Sequence, residues 1–383
     1  MQAMLPRLIS RKIKNAKKSI ILLGPRQTGK STLLLSLKPD LTINLADESQ
    51  FIRIAADPYY FSSLIENFRY ILIDEIQRIP SLLNTVQTII DSSKNKNPIL
   101  FLLSGSSARK LKRGQANLLP GRLFSYHLGG LCAQELNYHI DVRKALSVGF
   151  LPEPYLEKDK NTSIKLLETY ATFYLKEEIQ AESLTRNLQG FMRFLNKMAE
   201  TSGSILDFSK ISSKSSVSRA SCIRFLEILE DTLVGSRVET FKENHHADVI
   251  KHPKFYFFDP GVLNGLLNNF VPSSDRIGKL FEHVVYSQLL NSAYALDLKI
   301  EIYYFRTRND VEVDFIVRWK NKIYAIEVKT GNIDKSDLSG LEIFRQYYPA
   351  VHKCIAVSNK ESHRMLNSII ICDLIGLVQE MEM

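Results

Sequence analysis

The spacing of hydrophobic and polar positions changes along the chain, and the changes mark out its organisation. Ser19–Leu23, Leu41–Leu45, Tyr70–Ile73 and Ile99–Leu103 are short, largely apolar runs bounded by polar turns, the pattern of buried strands. Helical stretches lie between them, one reaching Leu37, and a short basic helix is predicted over residues 7–18. Strands alternating with helices predict a parallel sheet covered on both faces. This first α/β block ends near Leu131–Leu136, after which Tyr155–Leu184 predicts largely helical structure rich in aromatic and charged residues.

From Gln189 to Phe241 the pattern becomes a helix (Phe191–Glu200), a shorter helix (Asp207–Ser212), a Ser-rich turn, a longer helix (Ser218–Leu229) and a strand-like tail (Leu233–Phe241). That order suggests a winged helix-turn-helix. Ser218 is placed to cap the longer helix, and Ile223, Leu226 and Leu229 share one face. Lys210, Lys214, Arg219 and Arg224 can meet phosphates or simply be solvated. The last third opens with aromatic Phe255–Phe258 and a turn at Asp259-Pro260-Gly261, followed by a helix through Phe281 and Leu290. Strands are predicted at Glu301–Arg306, Val311–Val317, Lys322–Val328 and Lys353–Val357, with a helix near Ser336–Tyr347, a second α/β unit.

At 383 residues the chain is expected to form two or three domains. Fifty Lys and Arg against 41 Asp and Glu leave a formal charge of +9, which fits either an anionic partner such as nucleic acid or a basic solvated surface. Cys132, Cys222, Cys354 and Cys372 are far apart, so neither a zinc site nor a disulfide framework is suggested, and reduced thiols in a cytoplasm fit best. The apolar run Ile20–Leu23 is too short for a signal peptide, and no segment approaches the roughly 18 apolar residues of a spanning helix, so no membrane association is expected.

Gly24-Pro25-Arg26-Gln27-Thr28-Gly29-Lys30-Ser31, followed by Thr32, is a complete phosphate-binding loop between a strand and a helix. Its glycines let backbone N–H groups turn toward phosphates, and the following helix presents its positive end. Lys30 is expected to reach the β- and γ-phosphates of ATP, Ser31 to offer a hydroxyl to Mg²⁺, and Thr32 to cap the turn. Tyr70-Ile71-Leu72-Ile73-Asp74-Glu75 has the form of a Walker B strand: Asp74 is expected at Mg²⁺ and Glu75 at the attacking water. Ser104, ending the next strand in Ser104-Gly105-Ser106-Ser107, is in a sensor position, preferred to Ser106. Arg122 is a candidate for an arginine neutralising transition-state charge, in cis or across a subunit boundary, with Arg26 a weaker one.

In the last third, Asp314 on one strand faces Glu327 and Lys329 on the next, where alternation puts Glu327 and Lys329 on one face. Asp314 and Glu327 can bind a divalent cation, Lys329 can orient or activate water for attack on a phosphodiester, and Glu282 can supply a third carboxylate. D-x(n)-E-x-K taken alone is a weak pattern, since alternating strands produce it often.

With these residues in view, nearly the whole chain resembles prokaryotic AAA-type P-loop ATPases of the AAA+ superfamily that carry a C-terminal PD-(D/E)xK restriction-endonuclease-like domain of unknown function. The resemblance rests on Gly24–Leu33, on Leu72–Pro80 read as L-I-D-E-I-Q-R-I-P, on Leu103–Ser107, on Pro120-Gly121-Arg122, on the Phe257–Gly261 turn, on Glu282, and on Tyr304–Lys329. It implies a P-loop parallel-sheet AAA-type ATPase domain (1–136), a helical and winged-helix-like region (137–245) and a nuclease-like α/β domain (246–383). It also carries Glu282, Asp314, Glu327 and Lys329 over as the last domain's site. Many members have Thr where this chain has Ser31, and either hydroxyl can ligate Mg²⁺.

Two functions fit these features. One is a Mg²⁺-dependent ATPase that moves or remodels DNA while its terminal domain cuts or grips it. The other is a nucleotide-dependent switch whose nuclease-like domain is a non-catalytic scaffold for a protein partner. A small-molecule kinase also uses a phosphate loop, but Asp74-Glu75 and the extra domains argue against it. An arginine acting in trans requires at least a dimer.

Overall fold

The computed structural model describes residues 5–93, 98–106, 121–174, 187–242 and 249–383. The last ten residues of the Tyr155–Leu184 segment, together with Ser107 and Pro120, lie outside them. The chain forms two compact units, one of Met1–Gly129 with Asp231–Leu233 and Tyr294–Asp297, the other of the remaining residues.

The first unit runs α1 (Ile9–Lys14), β1 (Ser19–Leu23), α2 (Lys30–Ser36), β2 (Leu41–Asn44), α3 (Glu48–Ala56), α4 (Pro58–Ile65), β3 (Tyr70–Asp74), α5 (Leu82–Ser93), β4 (Leu100–Gly105) and β5 (Leu123–His127). The strands form a parallel sheet in the order β2-β3-β4-β1-β5. Both faces of the sheet being covered explains why β1 is buried throughout. Ile21 and Leu23 join one core with Phe61, Leu83 and Val86, whereas Ile20 and Leu22 join a second core with Ile9, Leu33 and Leu34 on the opposite face. β5 went unpredicted because Ser125 and His127 interrupt its apolar residues.

The second unit holds, apart from Asp231 and residues 294–296 at two helix ends, α6 (Val142–Val148), α7 (Pro152–Leu156), α8 (Lys160–Thr169), α9 (Leu188–Glu200), α10 (Phe208–Ser215), α11 (Arg219–Asp231), β6 (Gly235–Thr240), β7 (Lys254–Phe257), α12 (Pro260–Leu266) and α13 (Ile277–Leu296). It continues through β8 (Glu301–Arg306), β9 (Glu312–Trp319), β10 (Lys322–Lys329), α14 (Ser339–Tyr347), β11 (Lys353–Ser358), β12 (Arg364–Leu366), β13 (Ile369–Cys372) and α15 (Leu374–Glu380). Eight strands form one sheet, β12-β13-β11-β10-β9-β8-β6-β7. The blocks 137–245 and 246–383 are therefore joined rather than separate: β6, from the first block, pairs antiparallel with β7 and parallel with β8 from the second.

On α11 Leu226 and Leu229 are buried as expected, with Cys222, Phe225 and Ile228, whereas Ile223 is exposed. Ser218 Oγ accepts from Ser221 N at 3.2 Å, which caps this helix. All four cysteines are buried and no disulfide joins them. Among the described residues no helix is long and apolar enough to cross a membrane.

Candidate functional site

Parallel register places three chemical elements at one edge of the first sheet. Leu22 is level with Ser104 and Leu23 with Gly105, while Ile73 is level with Leu103. The loop following Leu23, the carboxylate of Asp74 and the hydroxyl of Ser104 therefore emerge together at the carboxyl ends of the strands, where open α/β sheets bind ligands.

Two glycines shape the loop. A Cβ on Gly24 would lie 2.1 Å from the Leu128 carbonyl oxygen, so no larger residue fits, and Gly29 adopts φ +89° as the N-cap of α2. The capping position is thus Gly29, which has no side chain to bond the first turn, and Thr32 is exposed rather than a cap. Lys30 is buried, with Nζ donating to the carbonyls of Gly24 and Pro25 at 2.8 Å each. Thr28 Oγ1 closes the loop onto Pro25 O at 2.9 Å. Ser31 is half-buried at the start of α2. Arg7, buried just ahead of α1, donates to Thr28 O at 2.6 Å and Gly129 O at 3.0 Å, tying the loop to the strand-β5 side of the sheet.

Ser104 Oγ donates to Asp74 Oδ1 and accepts from Glu75 N at 3.1 Å, so it fixes both acidic residues. Glu75 stands in the left-handed region at φ 59°, ψ 43°. A non-glycine residue there is held by its surroundings, and such strain gathers at functional positions. Gln77, buried, donates from Nε2 to Glu75 Oε2 and to Ser106 Oγ, the latter at 3.0 Å. Arg122 is not brought to this edge. Leu123 is level with Ser19, so Arg122 sits at the opposite end of β1, about 13 Å away along the strand direction at ~3.3 Å per residue. There its Nε meets both carboxylate oxygens of Asp91 at 2.9 Å. Arg26 is half-buried within the loop.

The second cluster lies in the second unit. Asp314 on β9 accepts from Val328 N at 2.8 Å, and Lys329 Nζ stands 2.8 Å from Glu327 Oε1. Glu282 on α13 also reaches the cluster, but through a residue the sequence did not single out. The Lys254 ammonium, almost wholly buried on β7, lies 3.1 Å from Glu282 Oε1, 2.8 Å from Glu312 Oε1 and 3.9 Å from Asp314 Oδ1. Tyr256, two residues on and so on the same face of β7, donates to Glu282 Oε1. Arg306 meets Glu312 Oε2 at 3.0 Å. Burial works against the charge on Lys254, but Glu282, Asp314 and Glu312 more than restore it, and its pKa is raised. Burial, reinforced by Glu327 and Glu282, pushes the Asp314 carboxyl well above the usual range, and burial also raises Glu327 against the pull of Lys329. Among the described residues no group of three or more His, Cys, Asp or Glu is placed to hold a metal ion. Glu282 is turned to Lys254 and Tyr256.

Comparison with known proteins follows this division. Residues 16–137 match the AAA domain family. The first unit of this chain is an AAA-type P-loop domain, and at family level a nucleotide-binding ATPase. Residues 139–273 and 277–374 match two domains of unknown function, DUF8612 and DUF4143. An uncharacterized protein of Mycobacterium bovis and one of Mycobacterium tuberculosis are each 27% identical over 332 residues, covering 84% of this chain and 73% of the relative. Two solved structures show weak likeness. The signal transduction ATPase with a tetratricopeptide repeat sensor from Pyrococcus horikoshii matches at 12% identity and TM-score 0.24, covering 77% of this chain and 47% of its own, so this chain spans about half its length. A Vibrio cholerae protein, VC1899, matches at 13% identity and TM-score 0.22, covering 95% and 97%. At these scores neither likeness bears on fold or function.

Sequence reasoning missed Arg7 and Gln77 around the AAA site, and Lys254, Tyr256 and Glu312 in the second cluster. A signal existed only for Lys254: a lysine opening the otherwise aromatic run Phe255–Phe258 is out of place unless it is paired.

Proposed function

We propose that the AAA domain hydrolyses ATP with Mg²⁺. Lys30 leaves its loop carbonyls to bind the β- and γ-phosphates, and Ser31 and Asp74 hold Mg²⁺, which neutralises phosphate charge when bound. Glu75 orients the attacking water, and Ser104 keeps Asp74 and Glu75 in register. Water attacks the γ-phosphorus, the bond to the bridging oxygen of ADP breaks, and the proton ends on the released phosphate. The observation that carries this reading is Glu75, held in a left-handed conformation beside Asp74 by Ser104 at the same sheet edge as the loop. With Arg122 at the far end of the sheet, an arginine contribution from it requires a second subunit. Substituting Glu75→Gln is expected to leave ATP bound and uncleaved, and Lys30→Ala to abolish binding; turnover of Glu75→Gln equal to wild type would overturn the assignment of Glu75.

For the segments 137–245 and 246–383 we infer a winged-helix region and a restriction-endonuclease-like domain, with DNA as the partner of the former. Of the two roles open to the nuclease-like domain, cutting DNA or serving as a scaffold for a protein partner, the buried Lys254 favours the scaffold. Incubation of the chain with duplex and single-stranded DNA and Mg²⁺ checks this: cleavage lost in Glu327→Ala, Lys329→Ala would reject the scaffold.

A further inference from the structure

Carboxylates from three elements converge in the second unit: Glu282 from α13, Glu312 and Asp314 from β9, and Glu327 from β10. Such a concentration of negative charge folds only if cations or protons offset it. A divalent metal ion does so by drawing several oxygens to within about 2.0–2.6 Å of one centre. Here that centre is already taken. Lys254 Nζ reaches oxygens of Glu282, Glu312 and Asp314 at 3.1, 2.8 and 3.9 Å. Its position is set by backbone, since β7 is hydrogen bonded to β6 along Val238↔Lys254 to Gly235↔Phe257. Its Nζ also lies 5.4 Å from the Tyr304 ring centroid, a further contact that holds the ammonium in place. Three further contacts engage the cluster's oxygens: Tyr256 O–H bonds Glu282, Val328 N–H bonds Asp314 Oδ2, and Lys329 bonds Glu327 Oε1. Among the described residues Glu327 Oε2 is buried without a hydrogen-bond partner, a single oxygen that cannot by itself bind a divalent ion.

We infer that the Lys254 ammonium is the resident cation of this cluster, filling the position a divalent metal would take, so that the cluster binds neither Mg²⁺ nor Mn²⁺ and the ammonium is what keeps them out. An ion entering beside it would place two cations within a few ångströms in a buried site, and expelling Lys254 would leave a charged side chain without a partner. Removing the ammonium while keeping most of the length of the side chain should instead uncover the carboxylates and create a metal site.

Mn²⁺ titration followed by electron paramagnetic resonance, on nucleotide-free full-length protein carrying Asp74→Asn, tests this. The background substitution silences the N-terminal site, so neither outcome depends on whether that site turns over ATP. The parent is expected to show no Mn²⁺ binding up to millimolar concentration that Asp314→Asn removes. Adding Lys254→Met is expected to create about one Mn²⁺ site per chain, at least tenfold tighter than any background binding, and Asp314→Asn should abolish it. Mn²⁺ bound by the parent and lost on Asp314→Asn would overturn the inference, as would a folded Lys254→Met protein that gains no site. If Lys254→Met does not fold, the comparison of the parent with Asp314→Asn still decides whether the cluster takes metal.

Discussion

A guanidinium buried behind a phosphate loop has a clear physical role. Arg7 satisfies two buried carbonyls, Thr28 O and Gly129 O, one of them inside the loop that must present its N–H groups to ATP. Gln27 at φ 61° and Gly29 at φ 89° flank that carbonyl, so the peptide it fixes lies between two left-handed residues. Loss of a charged donor leaves such acceptors unsatisfied at a cost of about 1–3 kcal/mol each. Part of that cost falls on the loop's binding conformation. Substitution of Arg7 by Ala is expected to weaken ATP binding about tenfold, equivalent to ~1.4 kcal/mol, while Arg7→Lys, able to reach one carbonyl, recovers part of the loss. Titration of a fluorescent ATP analogue would show it, and an unchanged dissociation constant in folded Arg7→Ala protein would remove Arg7 from the nucleotide site.

At the scale of elements, the strand β7 and the turn after it carry a second buried charge. Asp259 caps α12, its Oδ1 accepting from Gly261 N at 2.8 Å and Val262 N at 3.2 Å, and its Oδ2 accepting from Phe150 N at 2.6 Å. Burial outweighs these bonds and lifts its pKa to about 6. A carboxyl whose pKa is raised on folding stabilises the fold fully below its unfolded value near 3.8 and loses that stability as pH rises through about 6. Asp259→Asn removes the titration and costs a pH-independent amount at Phe150 N. The stability of wild type relative to this variant is expected to fall by about 2 kcal/mol between pH 4 and pH 7, read from urea unfolding at several pH values; a difference independent of pH would contradict it. Local chemistry of this kind was legible in the sequence: the loop, the strand Tyr70–Asp74 and the Asp259-Pro260-Gly261 turn each depend on residues a few positions apart. What was not legible depends on pairing across the chain. Lys254 meets Glu312 although β8 and β6 stand between their strands in the sheet order, β6 joins two blocks that looked separate, and β12 and β13 span three and four residues, too short for alternation to show.

For the whole molecule, the excess of nine positive charges asks where an anion would dock. The AAA domain uses one lysine for phosphate, and the second cluster is balanced internally, so neither uses that excess. The helices α10 and α11 do present charge: Lys210, Lys214, Arg219 and Arg224 are all exposed, while the opposite face of α11 is core. Lys210 meets Asp207 at 3.6 Å, an exposed pair of little energetic weight. On the DNA-binding reading proposed above, these two helices would enter the major groove, with the basic residues on phosphates and no base contact implied. Each phosphate neutralised releases a counterion, giving a slope of log affinity on log salt of about −0.9 per contact. Replacing all four residues by Gln is expected to make that slope about 3–4 units shallower for duplex DNA, with ATP binding unchanged because the loop is untouched. Fluorescence anisotropy from 50 to 200 mM salt measures both. Equal slopes for wild type and the fourfold variant would place the DNA contact on another surface, and no binding by wild type at the lowest salt would leave the positive charge as solvated surface alone.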